Sequence, residues 1–166
     1  MKGETSIDVK AIHPNHRSDL MHGVISSVLA LHDKGIVHRD IKPANMLLCS
    51  DGKIQLSGFA ETRLLSEDPA NWEGMTTTNY VPPHRCQKNS NWPDDRDSAP
   101  VVEDELYALG LSIWELWMGE MPFDGMYADD IREMVKAGQT VDVTRVQDEA
   151  TRAVICDYLR CGGARI

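Results

Sequence analysis

The chain has 166 residues, 42% of them hydrophobic and 26% charged, enough apolar material for one domain with a real core and too little charge excess for a disordered tail. A net charge of −9 argues against electrostatic binding to nucleic acid or to an anionic membrane surface. No apolar run reaches the ~20 residues a bilayer span needs, and the first residues lead into no hydrophobic signal segment, so an intracellular setting, cytoplasmic or nuclear, is expected.

Residues 1–17 show no period and read as an irregular lead-in. Ser18-Asp19 can cap a helix, and Leu20, Met21, Val24, Ile25, Val28, Leu29 and Leu31 follow at helical spacing up to a stop at Gly35. Met46-Leu47-Leu48 and Ile54-Gln55-Leu56 flank an Asp51-Gly52 turn signal and predict a hairpin. Residues 58–100 carry little periodicity, which inside a compact domain marks a functional loop or disorder. A helix that is apolar nearly all round is predicted over about 102–118, stopping at Gly119 before Pro122. Two amphipathic stretches, about 127–137 and 147–160, complete a mainly α pattern with one small hairpin.

Charge is uneven. Residues 94–130 hold eleven acids against one base, Arg96, for a local −10, while the remainder carries +1. That segment is either a solvated face or a docking patch for a basic peptide. The four cysteines, Cys49, Cys86, Cys156 and Cys161, form no Cys-x-x-Cys pair and are read as reduced thiols. His13-Pro14-Asn15-His16 has no second ligand pair at zinc-site spacing, and its proline spoils a helical i, i+3 geometry.

Between the first helix and the hairpin stands His38-Arg39-Asp40-Ile41-Lys42-Pro43-Ala44-Asn45. It resembles, at every defined position, the catalytic loop of eukaryotic protein kinases, and the Lys two residues after the Asp resembles the serine/threonine branch. The resemblance implies that Asp40 accepts or orients the proton of an attacking hydroxyl, that Lys42 neutralises the transferring phosphoryl group, and that Asn45 holds magnesium. His38 and Arg39 are then structural or regulatory, and Leu47 falls at the floor of the adenine pocket. Thr77-Thr78-Asn79-Tyr80-Val81-Pro82-Pro83-His84 resembles the end of an activation segment (58–84), with Thr77 hydrogen-bonding the catalytic Asp and Lys; Thr76, Thr77 and Thr78 are candidate phosphosites. Glu105 through Gly119 resembles the long central helix of the large lobe, and Arg165 its structural Arg. In this frame residues 18–166 are a kinase-like C-terminal lobe, with the N-terminal β lobe absent.

The departures weigh more. The metal-binding Asp-Phe-Gly reads Gly58-Phe59-Ala60, so the magnesium site loses its charged ligand, and a neutral Asn45 is a poor substitute for it. His84 stands in place of the Ala-Pro-Glu glutamate, so the family's ion pair to Arg165 cannot form. Glu105 replaces the bracing Asp and is one methylene longer; Asp104 beside it points the wrong way. No Gly-x-Gly-x-x-Gly occurs in the 37 residues before His38, and Lys10 reads as a surface lysine. The expectation is a pseudokinase-like or truncated module that binds or scaffolds a protein partner, with ATP and Mg²⁺ bound weakly or not at all. The alternatives are an active serine/threonine kinase whose ATP site is completed from elsewhere and, more remotely, an enzyme reusing Asp40 and Lys42 in an open groove. Leu47, Leu48 and Ile54 are expected to be partly exposed as an apolar patch.

Overall fold

A computed structural model of the protein describes residues 5–68, 77–86 and 101–166. Thr76, Asp94, Asp95, Arg96, Asp97 and the greater part of the irregular stretch anticipated over 58–100 lie outside the described residues.

The long apolar helix forms where its pattern places it, as α3 (Val102–Met118), and everything else is arranged around it. Tyr107, Leu109, Leu111, Ile113 and Leu116 are each at most 1% exposed. Burying side chains of this size contributes roughly 1.5–3 kcal/mol apiece. Gly119, at φ 74°, ends the helix with its amide donating to the Glu115 carbonyl. α5 (Glu149–Cys161) lies against α3 through Ile155 and Leu159, both fully buried. Close approach is possible because Gly110 carries no side chain: a Cβ there would stand 3.1 Å from Tyr158 and 3.2 Å from Leu159. α4 (Ala128–Lys136) turns Ile131 and Val135 inward and leaves its polar face in solvent. A short helix, α2 (Pro83–Cys86), packs on α4.

α1 (Arg17–His32) covers the other flank of α3 with Leu20, Met21, Val24 and Val28. It begins at Arg17, two or three residues earlier than a cap at Ser18 or Asp19 implies, and both of those residues lie inside its first turn instead of capping it. The reason is local: a 3-10 turn over Pro14–His16 runs straight into the helix, and the Arg17 amide already donates to the Pro14 carbonyl. Residues 5–17 are accordingly not irregular throughout. β1 (Thr5–Ser6) pairs antiparallel with β3 (Met46–Leu48), which pairs with β4 (Ile54–Leu56) in the register Met46↔Leu56, Leu47↔Gln55, Leu48↔Ile54. The hairpin turns at Gly52, φ 82°. A second ribbon joins β2 (Ile36–Val37) to β5 (Arg63–Leu64).

The expected apolar patch forms only in part. Leu48 is 37% exposed and Leu47 half-buried, but Ile54 is buried, because Gly23 of α1 lets its side chain approach to 3.0 Å of where a Cβ would sit. Among the described residues no helix is long and apolar enough to cross a membrane.

Candidate active site: the loop over Asp40

The two ribbons leave residues 38–45 as a bridge stretched across the N-terminal half of α3. His38 is fully buried beneath it. Its Nε2 donates to the Ser57 carbonyl at 2.8 Å, and its Nδ1 accepts from the Asp40 amide at 3.3 Å. A carbonyl only accepts and an amide only donates, so the proton sits on Nε2. The Phe59 ring packs on the imidazole, centroids 4.9 Å apart. Arg39 takes a left-handed conformation, φ 70°, at a cost of roughly 1–2 kcal/mol for a side chain of this kind. What holds it there is Glu105 of α3: one carboxylate oxygen accepts from the Arg39 amide, and the other lies 2.7 Å from Nε2 of His32 in α1. The longer side chain thus reaches the loop and the first helix together. Ile41 and Pro43 are buried and fix the rest of the bridge.

On the outer side of the loop four polar side chains converge. Asp40 Oδ1 accepts from the Thr77 hydroxyl at 2.9 Å. Asp40 Oδ2 accepts from Asn45 Nδ2 at 2.7 Å and is paired with Lys42 Nζ at 2.8 Å. Lys42 also donates to Thr77 Oγ1 at 2.8 Å, which closes the ring. Burial works against ionisation of Asp40, but the hydrogen bonds from Lys42, Asn45 and Thr77 outweigh it and hold its carboxyl below the usual range. The group is therefore an ionised acceptor at neutral pH, and it keeps about a fifth of its side chain open to solvent. A solvent-facing carboxylate gripped by a lysine can receive a proton from an incoming hydroxyl, provided the reacting partner is brought to it.

The metal that the family resemblance implies has to be tested against the side chains that would hold it. Gly58, at φ 78°, lies directly against Asn45. A Cβ at position 58 would come within 2.6 Å of Asn45 Oδ1, 2.7 Å of Cγ and 2.9 Å of Nδ2. The space a carboxylate would need is filled by the Asn45 amide. That amide is also committed elsewhere, since Nδ2 donates to both the backbone carbonyl and the carboxylate of Asp40, each at 2.7 Å. Among the described residues no group of three or more His, Cys, Asp or Glu side chains could hold an ion. Hard divalent cations want several oxygen ligands, carboxylates foremost. These residues do not fit magnesium at that position.

The other anticipated residues are spread out. Leu47 sits in the middle strand β3, between Ser6 and Gln55. Arg165 is at the surface with its chain over Gly138, and its amide donates to the Gly138 carbonyl at 2.9 Å; among the described residues it makes no ion pair. His84 instead pairs with Asp104, Nε2 to Oδ1 2.7 Å, and Arg85 forks onto the same carboxylate. Asp104 also accepts from the Val101 amide at 2.9 Å and so caps α3. Tyr80 donates to Glu115 in the core, and burial pushes the Glu115 carboxyl up. Neither His32 nor the Tyr80–Glu115 and Asp104 clusters was anticipated. Apart from the Val101 cap, their partners are 19 to 73 positions apart, and no local pattern marks such pairs.

The protein kinase domain family matches residues 4–157. The chain belongs to that family. It is similar to the probable serine/threonine-protein kinase PknB of Lactococcus lactis, 31% identical over 114 residues covering 64% of this chain and 16% of the relative. The serine/threonine-protein kinase PrkC of Bacillus subtilis is 30% identical over 122 residues, 72% of this chain and 17% of the relative. The MAP kinase kinase skh1/pek1 of Schizosaccharomyces pombe is 32% identical over 102 residues, 61% and 25%. The chain thus spans about a sixth to a quarter of the length of these relatives. Two of the three are bacterial, so the narrower eukaryotic attribution gives way to the family as a whole. The fold is that of a kinase C-terminal lobe, mostly helical with a small hairpin.

Proposed function

We propose that this chain is a protein-kinase-like module in which phosphoryl transfer is impaired and whose role is to bind or scaffold a protein partner. The observation that carries the reading is the contact of Gly58 with Asn45. Where the family has a carboxylate for the nucleotide's metal, this chain has a glycine, and the amide that remains is spent on Asp40. Phosphoryl transfer depends on positioning and on neutralising charge around the triphosphate. Without the anionic ligand, ATP and Mg²⁺ are expected to bind weakly or not at all. A partner of basic character suits the acidic segment 94–130, of whose described acids Glu103, Asp124, Asp129 and Asp130 are exposed while Glu105 and Glu115 are buried in internal contacts. Reduced thiols at the four cysteines suit an intracellular setting.

Thermal-shift titration with ATP and Mg²⁺ tests this. A ligand at a hundred times its dissociation constant adds about 2.7 kcal/mol of stability, several degrees in a domain of this size. No rise at millimolar nucleotide is expected, and a clear magnesium-dependent rise refutes the reading. One observation favours the second reading, an active serine/threonine kinase: Asp40, Lys42 and Thr77 keep a closed, charge-paired arrangement. Transfer of γ-phosphate that disappears in Asp40→Asn would establish it.

A further inference from the structure

His84 lies between two stretches of chain remote from it in sequence. Its Nε2 is 2.7 Å from Asp104 Oδ1 in the first turn of α3, and its Nδ1 is 3.0 Å from the carbonyl oxygen of Gly162, just beyond α5. Both partners can only accept. A neutral imidazole carries one N–H and can satisfy one of them; the imidazolium carries two and satisfies both. The geometry therefore fits the charged ring.

The surroundings keep the acceptor ionised. Asp104 receives Arg85 Nη2 at 2.6 Å, Arg85 Nε at 3.0 Å and the Val101 amide at 2.9 Å; together with the His84 hydrogen bond, the largest of the favourable influences, these outweigh its burial and hold its carboxyl below the usual range. The charged groups facing His84 among the described residues are Asp104 from α3 and Arg85 from α2; the turn after α5 contributes the Gly162 carbonyl. The Asp104 hydrogen bond favours protonation and is the largest influence. Burial and the Arg85 charge oppose it, and the ring ends above the ordinary histidine value.

We propose that His84 is a proton-dependent latch, which when charged ties the segment following Thr77 to both α3 and the turn after α5, and when neutral lets one of these ties go. The folded protein holds this proton more tightly than the unfolded chain does. Its contribution is therefore complete below the unfolded value of about 6.5 and is lost as pH rises through the higher folded value. Because the His84 side chain is 39% exposed, solvent weakens the pair and the effect is small, about 1–3 °C in Tm.

Imidazole ¹H–¹⁵N NMR of the full chain reads the latch directly. Protons on both ring nitrogens of His84 at pH 6, and a midpoint above 6.5, are expected; a single protonated nitrogen at pH 6, or a midpoint at or below 6.5, overturns the proposal. Thermal unfolding of the parent and of His84→Gln between pH 6 and 8.5 gives a second reading. The parent's advantage of about 1–3 °C at pH 6 should shrink as pH rises toward 8.5, and a difference that stays constant with pH overturns the latch. Should the variant fail to fold, the ring titration of the parent decides alone.

Discussion

At the scale of single residues, position 58 shows how a backbone conformation and a neighbour act together. Its positive φ already disfavours any side chain, and the Asn45 amide stands where a Cβ would go. Gly58→Asp is therefore expected to destabilise by about 1–3 kcal/mol, seen as a fall in the urea midpoint. Added Mg²⁺ should not recover the loss; recovery would mean that Asn45 gives way and that its tie to Asp40 is dispensable. The residues of this site were legible to different degrees. The run from His38 to Asn45 is contiguous, so the family resemblance picks it out as a unit, and Thr77 is placed by the resemblance of residues 77–84 to the end of an activation segment. His32 had no such signal. It is one polar residue at the end of an apolar helix, and only the docking of α1 on α3 brings it to Glu105. The same holds for Asp104, whose side-chain partners His84 and Arg85 lie about twenty positions before it in the chain, across the stretch outside the described residues.

At the scale of elements, packing is set by where side chains are missing or paired. The amide of Gly163 donates back to Arg160, turning the chain sharply after α5, and Gly162 lies under Tyr107 so closely that a Cβ would meet the Tyr107 Cβ and ring at 2.6 Å. Gly162→Ala should push the α5 terminus off α3 and cost about 1–3 kcal/mol, read as a lowered Tm with earlier hydrogen exchange along α5. In the core, Tyr80→Phe leaves the Glu115 carboxylate without its donor. A loss of about 1–3 kcal/mol in denaturant unfolding and a further rise in the Glu115 titration midpoint are expected. Element types and extents followed from pattern: α3 runs where its apolar run runs, and the hairpin turns at Asp51-Gly52. The start of α1 did not, since a preceding 3-10 turn took over the capping that Ser18 and Asp19 offered. β1 was missed for a different reason. Two residues have no period, and their strand exists only because β3 presents an edge.

For the whole molecule, opposing titrations bracket the stable range. Asp40 and Asp104 are both held below their ordinary values, so their contribution is present above about pH 3.8 and disappears as pH falls through the folded values. His84 shifts the other way, and its contribution fades on the alkaline side. Equilibrium unfolding from pH 2 to 9 should show a steep acid limb that is shallower in Thr77→Val, which removes one of the bonds to Asp40, and a gentle alkaline slope. An acid limb unchanged by that substitution would mean Asp40 contributes little. Glu105 has a consequence for synthesis as well. The carboxylate that holds Arg39 in its unfavourable conformation lies 66 positions further along the chain. During translation, at about 5–20 residues per second, the loop leaves the ribosome several seconds before its brace exists. Until α3 has emerged and docked, the nascent chain lacks the Glu105 acceptor for the Arg39 amide. A ribosome arrested before residue 105 would carry the loop sequence without the carboxylate that fixes its conformation.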